Sequence, residues 1–344
     1  AGCMSAWITN TATTLLILPI AIAVISQVDV TQKKRFATCL ILSVAYAASL
    51  GGLSTMIGTA PNALFASLGD SLAGVEIIFF DWLLVGIPIS AVSLFVLWIY
   101  MTTYARLDNK KPILKDKNII TEELRNLGSW NRNEKIVLVI FLMTAVAWIT
   151  RGLFWKDLVP FVGDHVIVLV SVAALLVIPS GLKRQRLLDL RTARKIPWGV
   201  LVLIGGGLAL ASGFTATGLD MWIADKLLFL GELDYFLIVL VIVTITMLTS
   251  ELMSNTAVAA LLLPIMAVLG ATTEIDPILL MAPVAFATSY GFMMPVGTPP
   301  NAIAIGSGYV SIKQMVRYGL PFDLMCIPIV TVMIVFLIPL VWGS

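Results

Sequence analysis

Ser254-Asn255-Thr256-Ala257, with Pro264-Ile265 behind it, restates Thr9-Asn10-Thr11-Ala12 and Pro19-Ile20 at a distance of 245 positions. Both copies lie inside apolar sequence, where uncharged polar side chains cost free energy unless they are partnered. Working outward, Gly58-Thr59-Ala60-Pro61-Asn62 follows the first copy and Gly297-Thr298-Pro299-Pro300-Asn301 follows the second. Gly86-Ile87-Pro88 and Gly319-Leu320-Pro321 come next, in the same order. Ordered landmarks of this kind mark an internal duplication. In membrane sequence a duplication points to a secondary transporter whose binding site lies where the repeats meet.

Composition places the chain in a membrane. It is 59% hydrophobic and 12% charged, about half the charge of an ordinary soluble domain. Apolar runs of about twenty residues fit helices rather than barrel strands. The expected fold is therefore an all-α integral membrane protein with two discontinuous transmembrane helices. Cys3, Cys39 and Cys326 lie far apart, in no metal-ligand or disulfide pattern, and read as small buried hydrophobes. The sequence opens on Ala1 inside an apolar run. By symmetry with the second copy, on the order of 110 residues are expected before it in a complete repeat.

The basic residues set the topology. The breaks at 29–35, 105–135, 182–197 and 308–319 hold 19 of the 22 Lys and Arg, while those at 70–81, 151–165, 218–234 and 271–277 hold the other 3. The first group is assigned to the cytoplasm. Residues 218–234 and 271–277 then lie on one side, so the segment between them enters and leaves on that side. Its arms, read as 235–248 and 257–269, each reach only about 20 Å, short of the ~30 Å hydrocarbon core. A re-entrant hairpin with Ser254-Asn255-Thr256 at its tip follows, and residues 4–28 form its counterpart.

Residues 36–69 and 278–307 read as broken helices, interrupted at Gly58-Thr59-Ala60-Pro61-Asn62 and Gly297-Thr298-Pro299-Pro300-Asn301. Single spans are expected near 82–104, 135–151, 163–181, 198–217 and 320–342. The odd number of crossings between the hairpins makes this an inverted repeat. The organisation expected is 1–104 as the first-repeat transport part and 105–134 as a cytoplasmic linker with Ser129 as a helix cap. Residues 135–234 are scaffold with an interfacial helix near 220–230, and 235–344 are the second-repeat transport part.

Helix ends at the tips and breaks offer free carbonyls and free N–H groups. Carbonyls with an Asn amide oxygen suit a hard cation such as Na⁺; N–H groups with hydroxyls suit an anion. The candidate groups are Thr9-Asn10-Thr11, Gly58-Thr59, Ser254-Asn255-Thr256 and Gly297-Thr298-Pro299. Ser5 and Ser250, each four residues before its motif, add an oxygen. Lys and Arg are nearly absent from the apolar segments, so a bound dianion would need two or more co-bound Na⁺. Glu251 beside the second tip is read as a buried structural acid, with a cation or proton site as the alternative. His165 falls at an outer break. Gly205-Gly206-Gly207 is read as close helix packing.

An enzyme would need a nucleophile–base pair, an acid dyad or a metal site; a single His, with Glu251 lacking an evident acidic partner, argues against one. A channel is the further alternative, disfavoured by the side-chain ligands. Neither an organic cofactor nor a nucleic-acid partner is expected.

These residues resemble the divalent anion/sodium symporter family, the sodium-dicarboxylate transporters, from the first hairpin to the last span. The resemblance implies a first sodium site at Ser5, Thr9, Asn10 and Gly58, and a second at Ser250, Ser254, Asn255 and Gly297. Substrate carboxylates would meet Asn10, Thr11, Asn255 and Thr256, with Thr59, Thr298 and Pro299 nearby. It further implies sodium-coupled import of C4-dicarboxylates, a homodimer, an elevator mechanism and a place in the bacterial inner membrane among lipid. The chain departs from the family's pattern at Thr9 (Ser there), Ser250 (commonly Thr) and Ala60. Pro is usual at this last position, so the first break is expected to relax.

Overall fold

The computed structural model describes residues 1–28, 30–105, 128–181, 186–195, 198–219, 222, 233–273 and 275–343. Every named element among the described residues is a helix, and an isolated bridge joins Pro179 to Arg186. The expected interfacial helix at 220–230, Trp222 aside, and most of the 105–134 linker lie outside them.

The first repeat carries α1 (Gly2–Ser5), α2 (Asn10–Ser26), α3 (Val30–Gly51), α4 (Ala60–Leu68) and α5 (Phe79–Ala105). Then come α6 (Arg132–Thr150), α7 (Asp164–Val177), α8 (Leu190–Ala193) and α9 (Trp198–Thr217). The second repeat carries α10 (Tyr235–Leu252), α11 (Asn255–Thr272), α12 (Pro277–Ala287), α13 (Pro299–Gly306) and α14 (Ile312–Trp342). Among the described residues six helices are long and apolar enough to cross a bilayer. This is an integral, multi-pass membrane protein.

Local chemistry sets the helix starts. Asp234 and Asp276, acids of two of the base-poor breaks, accept hydrogen bonds from the N–H groups of Phe236 (2.8 Å) and Ile278 (3.0 Å). Each thereby satisfies a donor that the first turn leaves open. Ser311 and Gln314 form a reciprocal capping box at the start of α14. Asn131 and Glu134 do the same for α6, so the cap is Asn131 and not the expected Ser129.

Several expectations are corrected. The arms of the second helix pair are 18 residues each, about 27 Å at 1.5 Å per residue. They outrun the predicted arms because helix continues through Ser250 and Glu251, leaving only Met253 and Ser254 between α10 and α11. The arm-length argument for a re-entrant hairpin therefore fails, and that reading rests on charge alone. α14 begins at Ile312, so Gly319-Leu320-Pro321 lies within a helix. A Cβ on Gly205 or Gly206 would meet nothing within 4 Å, so those glycines are not packed in this chain; Gly207 makes ordinary contact with α11 and Leu68. Cys3 is exposed, while Cys39 and Cys326 are buried.

The described residues fall into two compact units. One comprises Ala1–Ile77, Leu83–Lys117 and Val202–Ser344, taken over the described residues, and contains both copies of every repeated landmark. Its centre is aromatic: Phe292 lies 4.6 Å from Tyr46 and 5.1 Å from Phe322, ring centre to ring centre. The other unit, Ile78–Trp82 with Asn118–Leu201, is built on α6 and α7. Arg151, counted in the sequence as a loop base, is buried there. It donates to Val162 O (2.8 Å) and to Asp164 Oδ1 (3.3 Å), and Asp164 Oδ2 accepts the Phe79 N–H at 2.8 Å.

Candidate functional site

Both helix breaks have one construction. α3 tightens into a 3-10 turn at Gly52–Ser54, and the chain then runs extended at Thr59 (φ −145°, ψ 150°) before α4 starts. Thr298 has nearly the same conformation (φ −136°, ψ 144°) before α13. Ala60 does not relax the first break. Pro61 in the first turn of α4 supplies a φ already set for helix.

Asparagine amides brace the open backbone. Asn62 Nδ2 donates to Gly52 O (2.9 Å) and Thr55 O (2.8 Å). Asn301 Nδ2 donates to Gly291 O (2.8 Å) and Met294 O (2.9 Å). The sequence flagged both asparagines as repeated but gave them no role; their repetition at the end of each motif was the signal.

At the first tip Thr9 caps α2 by accepting the Ala12 N–H at 3.3 Å. The Ser5 hydroxyl, fully buried, donates to Asn10 Oδ1 at 2.6 Å. Gly52 lies so near that a Cβ there would stand 2.5 Å from that same Oδ1. At the second tip the Asn255 N–H reaches Gly297 O at 3.4 Å. The Ser250 carbonyl lies where a Cβ on Gly297 would come within 2.6 Å. Three buried oxygens here, Ser250 Oγ, Asn255 Oδ1 and Thr298 Oγ1, receive no hydrogen bond from the protein. Buried oxygens of this kind need a partner, and a hard cation is one they suit.

These elements enclose a cavity of about 220 Å³. Thr9-Asn10-Thr11 and Ser254-Asn255-Thr256 line it from the tips; Gly58-Thr59 and Gly297-Thr298-Pro299 line it from the breaks, joined by Ile57 and Ala60. Every predicted substrate residue is therefore on one wall or another. Ser5 and Ser250 stand behind that lining. Among the described residues no Lys, Arg, Asp or Glu lines the cavity. Asn10, Ala60, Asn255 and Pro299 are each the first residue of a helix, so the starts of α2, α4, α11 and α13 all open on this space. These starts turn the positive end of the peptide dipole to the cavity, which favours anions, although α13 opens on Pro299-Pro300, which carry no N–H, and the Asn255 N–H already meets Gly297 O.

Glu251 is the structural acid expected. It is 4% exposed. Its carboxylate accepts N–H groups from Phe292 (2.7 Å), Met293 (3.0 Å to each oxygen) and Met294 (2.8 Å). The expectation that it lacks an acidic partner is corrected by Asp323, which faces it from α14.

The whole chain compares with one family. The family model for the sodium:sulfate symporter transmembrane region matches residues 4–343. The chain belongs to this family. Sodium:sulfate symporter family members are transporters, so this protein is not an enzyme. Its relatives include the sodium-dependent dicarboxylate transporter SdcS of Staphylococcus saprophyticus, 36% identical over 354 aligned residues, covering 99% of this chain and 68% of the relative. SdcS of Staphylococcus aureus strain USA300 is 36% identical, and that of bovine strain RF122 is 37% identical, with the same coverage.

Proposed function

We propose that this protein is a sodium-coupled secondary transporter importing small divalent anions, C4-dicarboxylates such as succinate, fumarate or malate. One observation carries the reading: four helix starts and several unpartnered buried oxygens converge on a small cavity that, among the described residues, has no basic side chain. Helix starts receive the two carboxylates. The missing countercharge comes from cations bound on the neighbouring oxygens, so binding of the dianion requires sodium. Excess positive charge in the loaded carrier couples uptake to the membrane potential, at about 2.3 kcal/mol per charge per 100 mV. The names of the staphylococcal relatives support both the ion and the substrate class.

In this reading the first sodium takes Ser5, Thr9, Asn10 and Gly58, and the second takes Ser250, Ser254, Asn255 and Gly297. Asn10, Thr11, Asn255 and Thr256 hold the carboxylates, with Thr59, Thr298 and Pro299 completing the wall. The charge distribution supports re-entrant hairpins and an inverted repeat in the bacterial inner membrane. Residues 1–104 and 235–344 act as the transport parts and 135–234 as scaffold, joined by the 105–134 linker. The mechanism is an elevator movement within a lipid-embedded homodimer.

Uptake of succinate into proteoliposomes, with sodium and then with potassium in its place, tests the proposal. Uptake that collapses in potassium supports symport; undiminished uptake selects an exchanger. The family's description names sulfate, so citrate and sulfate belong in the same panel. Preference for either one selects the rival cargo of the same fold.

A further inference from the structure

Away from the central cavity, an open pocket of about 720 Å³ lies where α3 and α14 begin. Lys33 and Lys34 line it from α3; Tyr309, Ser311 and Gln314 line it from the α13–α14 connection and the first turn of α14. Among the described residues the lining holds two lysines and no acid. Thr38, fully buried, joins the two walls. Its hydroxyl donates to Lys34 O (3.0 Å) or to Tyr309 O (3.3 Å) and accepts from Gln314 Nε2 at 3.1 Å. The pocket is thus built by segments 271 positions apart, counted from Thr38 to Tyr309.

α14 adds to the positive charge. Its capping box uses the N–H groups of Ser311 and Gln314, at 2.9 Å and 3.3 Å, and the rest of a first turn leaves donors open. The start of this 31-residue helix places the positive end of its dipole at the pocket. Lys313 and Arg317, exposed on the same helix, extend the basic field. Lysines with a helix start suit a phosphate-bearing anion.

Position selects a lipid over a free ion. Lys33 and Ile312 are the first residues of two helices long and apolar enough to cross a bilayer, so the pocket sits at headgroup level. Its lysines and Lys313 belong to the breaks 29–35 and 308–319, which the charge rule assigns to the cytoplasm, where the leaflet carries anionic lipid. Beyond the pocket, Ile312, Leu320 and Leu324 are all exposed. Helical geometry sets them within about 120° of arc and spreads them over about 18 Å, enough to follow a chain through the ~15 Å of one leaflet's half of the core.

We propose that this pocket binds the phosphate of an anionic phospholipid, with an acyl chain along the Ile312–Leu324 side of α14. Lys33 and Lys34 neutralise the phosphate. One lipid then contacts both the first broken helix and the last span. The site is independent of whatever the central cavity carries.

Native mass spectrometry of the full chain in detergent, titrated with palmitoyl-oleoyl phosphatidylglycerol, tests this. Wild type should retain one tightly held lipid more than Lys33→Gln/Lys34→Gln, whose affinity for that lipid should fall on the order of tenfold or more. Lys34→Gln alone, at an exposed position, should show a smaller loss in the same direction. Lys195→Gln, exposed in another basic break, should bind as wild type does. A loss there equal to that of the double variant would mean bulk charge and overturns the site. Phosphatidylcholine held as firmly as phosphatidylglycerol overturns the recognition of charge. Inorganic phosphate at millimolar concentration should leave the lipid in place; full displacement makes this a free-phosphate site and overturns the lipid assignment. Melting temperatures without added lipid should agree among the variants. A double variant that melts like wild type and keeps its full complement of lipid overturns the proposal.

Discussion

Asn62 and Asn301 close their respective helix breaks with the same pair of bonds. Each amide bridges the carbonyls ten and seven residues before it, Gly52 and Thr55 for one, Gly291 and Met294 for the other, at 2.8–2.9 Å. Both asparagines are fully buried. Truncating either leaves two inward carbonyls without a donor, so Asn301→Ala should lower stability by about 2–4 kcal/mol. Asn301→Asp should cost more, since a carboxylate would meet two carbonyl dipoles. Thermal unfolding in detergent checks the order wild type, Ala, Asp; an Asp variant as stable as wild type would remove the brace.

Asn10 and Asn255 each begin a helix on the cavity wall. Replacing either with Ala removes one oxygen from its proposed sodium site. The sodium half-saturation of uptake should rise on the order of tenfold in each case. If both variants keep wild-type titration curves, the site assignment is wrong.

Ser5 and Ser250 hold matching positions but different bonds. The Ser5 hydroxyl is committed to Asn10 Oδ1, while the Ser250 hydroxyl has no protein partner. Ser5→Ala should therefore lose about 1 kcal/mol of stability even without sodium. Ser250→Ala should leave sodium-free stability within about 0.5 kcal/mol of wild type and weaken the stabilisation that added sodium gives. Melting curves with and without sodium separate the two. Equal losses without sodium would contradict the difference.

A methyl group on Gly297 would crowd the Ser250 carbonyl at 2.6 Å. That neighbour is helix backbone and yields little. Gly297→Ala should cost about 1–3 kcal/mol and abolish sodium-dependent uptake, whereas Gly206→Ala, where a Cβ meets nothing, should be silent. An active Gly297→Ala variant would show that this approach is not needed.

Asp164 serves Arg151 on one oxygen and the Phe79 N–H on the other. Removing the carboxylate takes a charged partner at 3.3 Å from a guanidinium that is 2% exposed. Asp164→Ala should destabilise the unit by about 3 kcal/mol or more. An unchanged melting temperature would show that the ion pair is dispensable.

How much of this was legible beforehand depends on how local each feature is. The membrane class, the helix breaks and the residues around the cavity were readable because each announces itself in a few neighbouring residues. A polar triplet in apolar sequence, or Gly and Pro inside a helical run, is informative without knowing what it touches, and duplication doubled each signal. The family followed from the same motifs. The arm lengths were misread because caps and motif polarity look like helix ends, whereas helix persisted through Ser250 and Glu251 to a two-residue turn.

Sequence by itself determined that two polar turns and two broken helices exist, since backbone left open in an apolar setting must be marked by residues that can satisfy it. Only the tertiary structure decided what meets what. It faced Asp323 to Glu251 across 72 positions of sequence, gave Asn62 and Asn301 their carbonyls, and left Gly205 and Gly206 uncovered. Those outcomes depend on which helices pack together, and packing is fixed by the fit of whole surfaces rather than by any short run of residues.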